Sequence, residues 1–190
     1  MSVRRLVVPL LVLPVLFGAV SVRASEAEQR ALYGRALANG ELGWACFSRR
    51  YDDAHLRAHP KQNVMAMVVL AYRPDWPGAE SSIVNFEVRV RGAPEPVQLS
   101  GECRAAGGGG LACGFECDGG TFGVKTAGSG AILIDLPAPP GLCDGEDDAG
   151  GPGFGPDDRR FRLDRVGIDA CRDLVWDDEL RPRLLRAAGQ

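Results

Sequence analysis

Residues 83–91 set apolar Val84, Phe86, Val88 and Val90 against polar Asn85, Glu87, Arg89 and Arg91. That is the two-residue period of a strand with one buried face. The same period runs through residues 97–105, where Val97, Leu99, Gly101 and Cys103 alternate with Gln98, Ser100 and Glu102. It returns in residues 111–117 as Leu111, Cys113, Phe115 and Cys117 against Ala112, Gly114 and Glu116. Residues 64–72 are apolar almost throughout, which predicts a strand covered on both faces. Residues 121–126 and 131–136 flank Gly128-Ser129-Gly130 and predict a hairpin, and residues 161–166 a further strand. Phe115, Phe122 and Phe161 fall on the apolar faces and are read as core.

Helical signals are confined to short stretches. Residues 25–39 open with Ser25 and place Glu28 three positions later, a capping-box pattern, and they end before Gly40. Residues 52–59 open on Asp52 and are closed by Pro60; residues 177–188 predict a terminal helix interrupted by Pro182. Strands at this spacing, joined by Gly-rich turns and without βαβ alternation, predict a mainly β fold: an antiparallel meander forming a small barrel or sandwich. Short helices stand near its N- and C-terminal ends.

The first 24 residues read as a secretory leader, with Arg4 and Arg5, an apolar run over 6–20 broken by Pro9, Pro14 and Gly18, and the small-residue site Val22-Arg23-Ala24. The run is shorter than the roughly 20 residues a membrane span needs, so the expected product is residues 25–190, a single secreted domain without an integral membrane segment. Removal of Arg4, Arg5 and Arg23 would take the net charge from −3 to −6. Such a balance lacks the clustered positive charge that nucleic-acid binding requires. The expected location is extracytoplasmic, most simply a periplasm.

In that setting the six cysteines read as a disulfide framework rather than a metal or redox site. The spacing Cys113-x-x-x-Cys117 is not that of a thiol oxidoreductase. A hairpin centred on Gly108 pairs residues whose numbers sum to 216, which sets Cys103 opposite Cys113 within bonding reach. Cys113 and Cys117 lie roughly 13 Å apart along a straight strand. The expected pairs are therefore Cys103 with Cys113, Cys117 with Cys143, and Cys46 with Cys171.

Candidate chemistry is sparse. The two histidines, His55 and His59, share one face of the helix expected over residues 52–59, with Asp52 a turn earlier, and suggest a divalent metal site. The general-base Glu of H-E-x-x-H is missing, and Asp52 as helix cap is the competing reading. The acidic segment with Asp144, Glu146 and Asp148, followed by glycines and Asp157-Asp158, has the composition of a calcium loop but not the spacing of an EF-hand. Ser129 fails the nucleophile-elbow pattern, and acids such as Glu116 and Asp135 carry no specific signal. Trp76, between Pro74 and Pro77, is a candidate partner contact on a surface turn. These residues favour a non-enzymatic envelope protein, without a bound cofactor, that binds a protein or small ligand through loops of a disulfide-braced β scaffold. The alternatives are a metal-dependent or hydrolytic enzyme using His55 and His59, and a structural component of a secreted assembly.

Overall fold

The computed structural model describes residues 20–107, 109–128, 130–141 and 153–187. Eight strands follow one another around a closed antiparallel barrel: β1 (Gly43–Arg50), β2 (Val64–Arg73), β3 (Ser82–Val90), β4 (Val97–Gly107), β5 (Gly110–Phe115), β6 (Thr121–Thr126), β7 (Ala131–Asp135) and β8 (Arg160–Val166). Each neighbour in sequence is a neighbour in space, and β8 closes onto β1. The barrel, not the sandwich, is the form the meander takes.

Strand alternation puts one face of every strand into the lumen. An eight-stranded barrel is just wide enough for side chains to fill it, and here they do. Phe86 meets Phe122 edge-on at 5.1 Å between ring centroids and Phe115 at 5.6 Å, while Phe115 and Phe122 lie 4.4 Å apart. Phe47, Val69, Ile134, Phe161 and Leu163 complete the filling at 0–1% exposure. Gly101 faces inward on β4, where a Cβ would come within 2.6 Å of the Phe122 ring, so the glycine makes room for the cluster.

The strand missing from the sequence expectations is β1. Its inward Ala45 and Phe47 pack in the lumen, and outward Cys46 is buried too. A second apolar cluster covers the outside of β1 and β2, where Cys46, Leu70 and Tyr72 pack beneath a 3-10 helix at Ile168–Leu174 and the segment beyond it. With both faces covered, β1 shows no alternation. The Cys46–Cys171 disulfide ties this outer layer down, and Cys103–Cys113 crosses between β4 and β5, where the register pairs those residues directly. Cys117 is also disulfide-bonded; the expected partner, Cys143, lies outside the described residues.

Helix boundaries differ from expectation in two places. α1 runs Val20–Tyr33, so Ser25 lies within the helix rather than at its start. It stops at Gly34, whose φ of +81° is the left-handed conformation that ends helices, and the Gly34 N–H bonds to the Arg30 carbonyl. At the other end, the turn at 177–180 is held by Asp177, whose carboxylate accepts the backbone N–H groups of Glu179 and Leu180. α3 is therefore only Arg181–Ala187, with Pro182 in its first turn, where a missing N–H costs nothing. Between these lies α2 (Asp53–Ala58), capped by Asp52 as the pattern predicts.

Candidate functional site

The two ends of the barrel are built differently. One end, formed by the start of β1, the end of β2 and the start of β3, is closed by α1. Leu32 plugs the lumen, and the Tyr33 hydroxyl donates to Ser82 Oγ at 2.7 Å. Burial pushes the Tyr33 phenol well above its ordinary range, only partly offset by the Ser82 hydrogen bond and the charge of Arg73. Glu28, on the same helix, is buried to 4% exposure, and neither carboxylate oxygen has a hydrogen-bond partner. Desolvation raises its pKa. The backbone N–H groups of Gly107 and Ala106 lower it in part from beyond bonding geometry. Beside it is a crevice of about 20 Å³ lined by Tyr33, Arg73, Glu80 and Ser82, room for a single water.

The loop between β2 and β3 stands at this end and carries Trp76, 56% exposed. Its neighbours hold it. Asp75 accepts both arms of the Arg183 guanidinium from α3, one at 3.2 Å, and Gly78 N–H bonds to Asn39 Oδ1 at 3.3 Å. The Arg183 hydrogen bond and charge keep the Asp75 carboxyl below its ordinary range. Buried Arg73 reaches back to the carbonyls of Ala38 at 2.6 Å and Glu41 at 3.3 Å, fixing the 34–42 linker against the same loop. An exposed indole therefore sits on a braced support.

At the opposite end the predicted metal candidates meet, in a different arrangement. Tyr51, His55 and His59 form a stack with centroid separations of 4.5 and 4.4 Å. His55 Nε2 lies 3.0 Å from Gln62 Oε1, and Asp52 spends Oδ1 on the His55 backbone N–H as helix cap. Among the described residues no three His, Cys, Asp or Glu side chains come together in a metal-ligating group. Asp144, Glu146 and Asp148 lie outside the described residues. Asp158, read with the acidic segment, is instead a buried anchor: its carboxylate accepts the backbone N–H groups of Asn63, Val64 and Gly155.

Two larger concavities mark the outer wall. One, of about 320 Å³, is floored by Ala66 and Val68 between Arg49, Arg50 and Arg89. The other, of about 350 Å³, opens beside the α1-capped end where β1 and β8 meet, and is lined by Trp44, Arg165 and Leu37 among others. The first spans three consecutive strands, β1 to β3; the second was not legible in the sequence, because it joins β1 to β8 across the length of the chain.

These features define a small closed antiparallel barrel with a filled lumen, one end capped by a helix, and its candidate contacts on loops and outer wall. Comparison with known protein families, characterised proteins and solved structures returned no match.

Proposed function

We propose that this chain is a non-catalytic binding protein of an oxidising, extracytoplasmic compartment, engaging a protein partner through the α1-capped end of the barrel with Trp76 at the centre of the contact. The observation that carries this reading is the exposure of Trp76 on a loop that Arg183, Asn39 and the 34–42 linker hold in place. Tryptophan is among the residues that dominate binding energy at interfaces, and a rigid support lowers the ordering cost of association. Packed phenylalanines occupy the lumen, which turns attention to the surface. The disulfides support the compartment. His55 Nε2 and Asp52 Oδ1 are engaged by Gln62 and by the α2 cap, which favours a structural role for both.

The test is site-specific photocrosslinking in the secreting cell, with a benzophenone amino acid at position 76 and, as control, at Glu95 in the β3–β4 turn at the opposite end. A discrete adduct at 76, absent at 95 and competed by wild-type protein but not by Trp76→Ala, supports the reading. Identical adducts at both positions, or none at 76, overturn it.

A further inference from the structure

β1 pairs with β2 over its whole length, but with β8 only at Cys46–Val166, Phe47–Arg165 and Ser48–Asp164. β8 ends at Val166, opposite Cys46, so the start of β1 has no strand partner on that side, and the groove of about 350 Å³ lies there. Its walls are Trp44 and Val166, with Tyr33 from α1 and Leu37 from the linker. Leu37 packs so closely on Gly43 that a Cβ there would lie 2.2 Å from its Cδ1, so the glycine at 43 lets the linker form the groove's side.

Two guanidinium groups line this space, and they differ. Arg35 is neutralised by its ion pair with Glu41. Arg165 is half-buried, lies 4.9 Å from the Phe47 ring centroid and donates to the Leu32 carbonyl at 2.5 Å. Among the described residues no carboxylate pairs with it. Desolvation pushes its pKa down. A guanidinium has five N–H donors, and a partly buried cation is ordinarily paired. Here an apolar-walled groove stands where the counter-ion would be.

We propose that this groove binds a small carboxylate joined to an aromatic or similarly flat apolar group, the carboxylate taken by Arg165 and the body laid against Trp44, Leu37 and Val166. The planar fork of arginine matches the two oxygens of a carboxylate, and partial desolvation strengthens that pairing. The volume is within the range of small-molecule sites. A free aromatic acid and the C-terminal residue of a peptide share this chemistry. The site is distinct from Trp76 and does not depend on the protein-partner reading.

The experiment is NMR titration of the folded protein, following the Arg165 Nε–H and Trp44 indole N–H signals, with 3-phenylpropionate and its neutral counterpart 3-phenylpropanol. The acid is expected to shift both signals saturably, the alcohol neither. Arg165→Lys keeps the charge, loses the fork and is expected to weaken binding about tenfold, while Trp76→Ala leaves it unchanged. Equal responses to acid and alcohol, or no response up to about 20 mM acid, overturn the proposal. Because the wild-type signals carry the result, it stands even if a variant fails to fold. Ala-Ala-Phe with a free or amidated C-terminus separates the sources: tighter binding of the free-acid peptide than of 3-phenylpropionate assigns a peptide terminus, and binding of the small acid alone assigns a free organic acid.

Discussion

The Asp158 carboxylate receives the backbone N–H of Val64 at 3.1 Å, joining the approach to β8 with the first residue of β2 across 94 positions of sequence. The same carboxylate holds Asn63 N–H at 2.9 Å and Gly155 N–H at 2.6 Å, and the side chain is 1% exposed. Gly155 lies against Lys61 so tightly that a Cβ would sit 2.0 Å from its carbonyl oxygen. Asp158→Ala strands three backbone donors, two of them buried and one part-buried, each losing a charge-assisted partner. The expected loss is about 3 kcal/mol or more, read as a lower urea midpoint with unchanged slope. A loss under about 0.5 kcal/mol contradicts the anchor role.

The two described disulfides differ in what they restrain. Cys46–Cys171 closes a separation of 125 residues and Cys103–Cys113 one of 10. Chain-entropy arguments put these at about 5 and about 3 kcal/mol. The paired serine variant of Cys46 and Cys171 is therefore expected to be the less stable of the two. It also frees the outer layer, so limited trypsinolysis should cut first at Arg172 or Arg183 while the barrel persists. Equal stability of the two double variants, or first cleavage within the strands, goes against this assignment.

How much of this was legible beforehand depended on distance along the chain. The Cys103–Cys113 pairing follows from one Gly-rich turn and a two-residue period, both local. The Asp52 cap and Trp76's place on a proline-flanked turn are local too. β1 was not legible, because Cys46 and Trp44 on its outer face are covered by a helix more than 100 residues later and so need not be polar. The groove around Arg165 was hidden for a related reason. Its walls come from the linker after α1, from β1 and from β8, and only barrel closure brings them together. Asp158 was grouped with its acidic neighbours, since composition does not distinguish a solvated carboxylate from a buried one that holds three backbone amides.

Glu28 provides a test in pH. Its folded pKa is raised above the unfolded value, chiefly by desolvation, so the native state binds more protons than the unfolded state between the two values. Stability from this group is therefore greatest below the unfolded pKa, falls as pH rises towards the folded pKa, and stays at its lower level above it. Glu28→Gln removes the ionisation while keeping the shape. The expected result is a melting temperature higher by about 2 °C or more at neutral pH, with the gain disappearing at acid pH where wild-type Glu28 is protonated. A variant destabilised at neutral pH shows instead that the charged carboxylate has a stabilising role.

The histidine pair yields the last expectation, about metal. The two rings stack face to face at 4.4 Å between centroids with 30° between their planes, so chelating one metal would require the stack to open. Asp52 would have to leave the α2 N-terminus to join them, at a cost of about 1 kcal/mol for the lost cap. Zinc at a few equivalents should therefore leave the melting temperature of the intact protein unchanged. The His55 and His59 ring signals should hold their positions, and His59→Ala should shift stability by less than about 1 kcal/mol. A stoichiometric, chelator-reversible rise in melting temperature that vanishes in His55→Ala would show that the stack opens to take a metal, and would restore the enzyme reading drawn from the i, i+4 spacing.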